Sequence, residues 1–255
     1  MEAAAPPPAP PPAGAAPAAR RVDVGNVISE TFSMYGAHAG VLLGSAVVIF
    51  GIIGVLNGFF YDEGGILFSL LISVLDVVGS TIYAGMVVRV VQHARQGTSA
   101  SVGETVESVM PVLIPLIVNG FLKGVAVAIG LILLIIPGIF LATMWAVTGP
   151  AIVVERAGII DSFQRSWDLV KGQFWPVLGA YVIAFLILAA AGILAGIIGV
   201  AIGSVVAVIV MTILFKIIAA PVVALVSTIL FFDLGGGQAA AAPAAPAAPP
   251  PPPAA

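Results

Sequence analysis

Four polar residues stand inside otherwise apolar stretches of this chain: Asp76, Asn119, Lys123 and Lys216. A charge near the centre of a bilayer costs about 2.5–3.5 kcal/mol on insertion scales, so such groups usually face a helical bundle's interior and pair. Two chemistries fit them. One is an ion or proton path, or a site for an anionic headgroup. The other is an Asp–Lys pair that only fixes helix packing. By depth along their segments, Asp76 matches both lysines, so it is expected within ion-pair reach of Lys123 or Lys216. Two lysines against one aspartate leave positive charge over, which favours an anionic ligand. A long lysine can also snorkel to the interface.

Other reactive groupings are missing from the sequence. It has no cysteine, and its two histidines, His38 and His93, are far apart and have no neighbour at metal-ligand spacing. There is no Gly-rich phosphate loop, no HExxH and no Gly-x-Ser-x-Gly elbow. Asp161 and Asp168 could pass for paired carboxylates, but Arg165 and Lys171 follow them at i+4 and i+3, which is ion-pair spacing on a helix. The expectation is a protein that is not an enzyme and has no cofactor, metal or catalytic set.

Composition explains where these residues must sit. Of 255 residues, 60% are hydrophobic and 8% charged, and the mean hydropathy is +1.18. A water-facing domain carries about 25% charged residues, so most of this surface must face lipid. A net charge of −3 gives no reason to expect nucleic acid. The expected fold is an all-α membrane protein of about six transmembrane helices with three interfacial amphipathic helices, and the expected partner is the lipid bilayer. A protein partner and the oligomeric state are left open.

Along the chain, the amphipathic stretches are expected at 23–35, from Ser101 (with Glu104 at capping-box spacing) and at 158–172. In the third, Ile160, Phe163, Trp167 and Val170 form the apolar face. The spans are expected at 39–60, 66–91, 111–136, 139–154, 174–198 and about 205–232, each long enough for a hydrocarbon core of about 30 Å or nearly so. The stretch from Val177 to Phe215 has no charge in 39 residues, too long for one crossing at about 1.5 Å per residue, so a turn is placed near 199–204. An amphipathic helix followed by a two-span hairpin thus occurs three times, and Asp23-Val-Gly-Asn-Val resembles Ser101-Val-Gly-Glu-Thr. Residues 1–21 and 235–255 read as disordered tails rich in Ala, Pro and Gly, around a membrane domain at 22–234. No apolar run near the start reads as a signal peptide.

Seven of the nine Lys and Arg (Arg20, Arg21, Arg89, Arg95, Arg156, Arg165 and Lys171) fall before the first span or at the second-to-third and fourth-to-fifth links. The positive-inside rule then puts both termini in the cytoplasm of a multi-pass cell-membrane protein. Gly36, Gly40 and Gly44, Gly120 and Gly124, and Gly192 and Gly196 have the small-xxx-small spacing of close helix crossings. Pro137-Gly138 should break the third span. Pro150 and Pro221 lie within spans and should free the carbonyls of Ala146 and Ile217. Trp145, Trp167 and Trp175 read as interfacial anchors.

The stretches Ile136-Pro-Gly-Ile-Phe, Pro150-Ala-Ile-Val-Val-Glu-Arg-Ala-Gly and Asp161-Ser-Phe-Gln-Arg-Ser-Trp-Asp-Leu-Val-Lys-Gly resemble the membrane domain found beside glycerophosphodiester phosphodiesterases, and related uncharacterised six-span bacterial proteins. Asp23-Val-Gly-Asn-Val-Ile-Ser-Glu-Thr-Phe is similar to that family's opening helix, and Thr228-Ile-Leu-Phe-Phe-Asp233-Leu to its closing motif, although Gly235 follows where Arg is usual. The resemblance covers about residues 22–234. It implies no phosphodiesterase activity here, because in that family the catalytic barrel is a separate domain. Two functions therefore stand: a non-enzymatic accessory or scaffold module acting on lipid or partner proteins, or a small transporter or lipid-headgroup binder using Asp76, Lys123 and Lys216.

Overall fold

The computed structural model describes residues 21–59, 65–98 and 101–237. The tails lie outside these residues, apart from Arg21 and the glycines at 235–237, and so does most of the turn expected at 61–65. Among the described residues every regular element is helical: α1 (Val24–Ala37), α2 (Ala39–Phe59), α3 (Gly65–Arg95), α4 (Val102–Val109), α5 (Leu113–Leu133), α6 (Ile135–Met144), α7 (Thr148–Glu155), α8 (Ile159–Val170), α9 (Phe174–Ala201) and α10 (Val205–Asp233). Six stretches are long and apolar enough to cross a membrane: α2, α3, α4 with α5, α6 with α7, α9 and α10. The chain is an all-α, multi-pass membrane protein.

The likeness between the segments at Asp23 and Ser101 has a local cause, for both residues cap helices. The Asp23 carboxylate accepts the Asn26 N–H at 3.1 Å. Ser101 accepts the Glu104 N–H at 3.3 Å while Glu104 accepts the Ser101 N–H at 3.0 Å, which closes a capping box. The turn in the long uncharged stretch falls at 202–204, where Gly203 takes φ +71°, within the expected window.

Several expectations are corrected. α4 is not a separate helix, because a 3-10 turn at Met110–Val112 carries it directly into α5. Pro137 does not end the third span. The chain reverses at a single extended residue, Leu134 (φ −158°, ψ 131°), and Pro137 sits in the first turn of α6, where no N–H is needed. The reversal is tight enough that a Cβ on Gly130 would come within 2.9 Å of the Gly138 Cα. The fourth span is not continuous either. It breaks between Met144 and Thr148, so Pro150 sits in the first turn of α7 rather than inside a helix.

The amphipathic helix α8 leaves most of its expected apolar side at the surface, as a helix at the interface does, and buries only Val170 of it. Its buried residues are Ser162, Ser166 and Val170, while Ile160 and Trp167 are exposed. In lipid an apolar face has no reason to hide, whereas small hydroxyl side chains gain by docking on other helices. A Cβ added at Gly36, Gly40 or Gly44 would meet nothing within 4 Å among the described residues. Of the expected glycines, Gly120 and Gly192 do lie at close contacts, with Thr81 and Phe215, and outside that set so do Gly54, whose Cβ would meet Ile213, and Gly79, whose Cβ would meet Ile49 and Ile53. The last two pack α2 against α10 and α3.

The charges gather at one end of the bundle. Arg95 reaches Glu30 at 2.8 Å and Asp233 at 3.6 Å, so the middle of α1 meets the ends of α3 and α10 there. Arg165 does not pair with Asp161 as its spacing suggests; it takes Glu155 of α7. Lys171 does pair with Asp168, at 2.7 Å. Arg89 lies inside α3, half-buried, and donates to Gln92 at 2.9 Å. The first three residues of the tail expected from 235 are among the described residues. Gly235 (φ +87°) and Gly236 donate to Phe232 and Phe231 carbonyls in a Schellman cap, and Gly237 N–H donates to Glu155 at 2.8 Å.

Candidate functional site

The inward side of the third span is a helical stripe of buried residues, Thr105, Val109, Val112, Leu116 and Asn119. One turn further on the same stripe comes Lys123. Asn119 is 3% exposed and donates through Nδ2 to Ser162 Oγ at 2.8 Å, which anchors α8 to α5. Ser162 Oγ in turn donates to the Ile159 carbonyl at 2.7 Å. Asn119 is therefore a packing contact as well as a lining residue of the cavity described next.

Lys123 points into a cavity of about 600 Å³ that is open to the outside of the bundle. Its walls are mostly apolar, with Phe50, Leu116 and Val223 among them, and its polar groups include Tyr83, Thr148, Tyr181 and Ser227. Lys216 of α10 lines the same cavity. The Lys123 ammonium has no hydrogen-bond or ion-pair partner among the described residues. Lys216 differs, for its Nζ is hydrogen-bonded to Asp76 Oδ1 and lies 5.2 Å from the centre of the Phe50 ring. Of the two lysines matched to Asp76 by depth, the structure brings Lys216 to it and leaves Lys123 apart.

The break in the fourth span forms another wall. Ala146, Thr148, Gly149 and Pro150 all line this lysine cavity. Exposed backbone at membrane depth must be satisfied by protein or by a wet cavity, and here side chains do most of it. Ser166 Oγ donates to the Met144 carbonyl at 2.8 Å and accepts the Val147 N–H at 3.3 Å. The Ala146 carbonyl, the one Pro150 was expected to free, accepts Ser227 Oγ at 2.9 Å and Tyr181 Oη at 3.2 Å. The first turn of α7 brings N–H groups with no intrahelical acceptor, and the positive end of the helix dipole, to the cavity wall.

A second cavity of similar size, about 600 Å³, is lined by Asp76 together with Asn57, Ser73, Val205 and Lys216. Phe50, Thr212 and Lys216 belong to the walls of both. Tyr83, Thr148, Tyr181 and Ser227 were not singled out from the sequence. The available signal was a set of Ser, Thr and Tyr residues inside spans, each on the face that turns away from lipid. At the charged end, outside the spans, the bonds from Glu155 hold the Arg165 pKa above its usual value.

No solved structure matches the chain. A family model does, over residues 64–227, from the start of α3 well into α10 and across Asp76, Asn119, Lys123 and Lys216. Since that match covers more than half of the chain, the protein belongs to the uncharacterised protein family UPF0259.

Proposed function

We propose that this protein is a non-enzymatic membrane module that binds an anionic lipid headgroup in the lysine cavity, with Lys123 and Lys216 as the cationic contacts. The observation that carries this reading is Lys123, an ammonium at membrane depth with no partner among the described residues, facing a cavity of about 600 Å³. An unpaired charge there is costly unless a ligand or water completes it. Lys216 and the first turn of α7 add positive potential on other walls, and the apolar lining suits an acyl chain. The similarity to the membrane domain beside glycerophosphodiester phosphodiesterases belongs to the same reading, and a solved member of that domain superposing on α2–α10 would support it. The gathering of Lys and Arg at one end supports, by the positive-inside rule, a reading in which both termini lie in the cytoplasm.

The test is retention of lipid by the full chain purified in detergent and offered phosphatidylglycerol and phosphatidylcholine in equal amounts. Native mass spectrometry should show phosphatidylglycerol preferred, and Lys123→Met should remove the preference. Equal retention of the two lipids by the wild-type chain would sink the proposal.

A further inference from the structure

The lysine cavity and the aspartate-lined cavity lie in series along α10. The α10 residues that line them run from Val205 to Ser227, which at 1.5 Å per residue is about 33 Å, against a hydrocarbon core of about 30 Å. One cavity reaches Gly58 and Val205, beside the turn between α9 and α10; the other reaches Ser227, toward the charged end. Where they meet stand Phe50, Thr212 and Lys216, with Lys216 bonded across to Asp76.

We infer that the two cavities are halves of one path across the membrane, closed by the Asp76–Lys216 pair, and that an anionic phospholipid headgroup opens it by taking Lys216 from Asp76. The inference rests on the headgroup-binding reading above. Lys216 has one ammonium and two places to spend it. Asp76 holds it from the second cavity, while an anion beside Lys123 would offer it a second, doubly supported partner. A ligand shifts such an equilibrium only by binding one arrangement better than the other, and a headgroup bridging Lys123 and Lys216 binds better with Lys216 turned from Asp76, because the ammonium is then nearer the anion and less neutralised by the carboxylate. The helix that carries Lys216 is also weakened next to it, since Pro221 cannot donate to the Ile217 carbonyl. The apolar walls suit acyl chains that follow the moving head, which selects an amphipathic anion over a free ion.

The experiment reconstitutes the full chain in phosphatidylcholine vesicles carrying a trace of fluorescent phosphatidylglycerol or fluorescent phosphatidylcholine. Chemical quenching from outside then reads transfer between leaflets. The wild-type chain should move phosphatidylglycerol faster than phosphatidylcholine. Asp76→Asn should raise its rate by about tenfold, because the closed arrangement loses its bond. Ser73→Phe narrows the second cavity alone, without touching a charge or the lysine cavity, and should slow transfer while leaving phosphatidylglycerol retention in detergent unchanged. If wild type and Asp76→Asn transfer no faster than protein-free vesicles while phosphatidylglycerol is still retained, the path is overturned and the binding reading survives. A Ser73→Phe rate equal to wild type would overturn the path independently of how Asp76→Asn folds. Loss of selective retention in the wild-type chain would overturn both.

Discussion

Arg165 meets Glu155 through two parallel bonds, Nε to Oε2 at 2.8 Å and Nη2 to Oε1 at 2.9 Å. The pair joins α8 to the end of α7, and Glu155 also holds the Gly237 N–H at 2.8 Å. A bidentate fork of this kind is specific to arginine. Arg165→Lys should therefore lower the thermal stability of the detergent-solubilised protein by about 1–2 kcal/mol. A variant as stable as wild type would show that the fork adds nothing over a point charge.

The Asn119–Ser162 bond should show as a coupling. Single changes to Ala at each position, and the double change, form a cycle whose interaction energy should be about 0.5–1.7 kcal/mol, the range of interhelical hydrogen bonds in membranes. Strict additivity would mean that α8 docks by packing alone.

The broken fourth span depends on hydroxyl groups from its neighbours. Ser166→Ala leaves the Met144 carbonyl and the Val147 N–H without their present partner, and a buried unsatisfied group costs about 1–3 kcal/mol. Tyr181→Phe should cost less, because Ser227 still donates to the Ala146 carbonyl. The reverse ranking in thermal unfolding would count against this account of the break.

Lys123 should trade stability for function. Lys123→Met keeps an unbranched side chain, one atom shorter, and removes an unpartnered ammonium, so the variant should be more stable than wild type by about 1 kcal/mol or more. The same change should abolish selective retention of phosphatidylglycerol. A destabilised variant would reveal that the ammonium already has a structural partner.

Topology can be read directly because the sequence has no native cysteine to remove. A single Cys at Ser204 should react with an impermeant reagent added outside intact cells, while one at Arg95 or Lys171 should not. Outside labelling at Arg95 would invert the orientation.

Much of the bundle was legible because hydropathy and length depend only on local sequence. The uncharged run from Val177 to Phe215 and the glycine at 203 were enough to place α9, its turn and α10. What was not legible depends on which way a helix faces. The pattern on α8 locates an apolar side but not how it divides, with Ile160 and Trp167 exposed and Val170 buried beside Ser162 and Ser166. Likewise, depth alone left Asp76 with two possible partners. The choice of Lys216 depends on the close crossings at Gly54 and Gly79, which pack α2 against both α10 and α3. The lysine cavity was visible only in outline, since Lys123 and Lys216 belong to helices whose adjacency no local pattern encodes. Arg165 shows the same limit: sequence spacing offered Asp161, and the fold supplied Glu155.

The Asp76–Lys216 bond also sets a timetable for making the protein. Its two residues are 140 positions apart in the chain, and a ribosome adding about 5–20 residues per second needs roughly 10 s to travel between them. For that interval the nascent chain carries an aspartate in its second hydrophobic segment with no lysine of its own to meet it. Until the last segment arrives that carboxylate must be protonated or held by another partner, and Asp233 and Gly237, which complete the contacts of Arg95 and Glu155, arrive later still. A ribosome that stalls before Lys216 leaves a product with an exposed intramembrane acid, a mark by which a membrane protease could distinguish it from the finished chain.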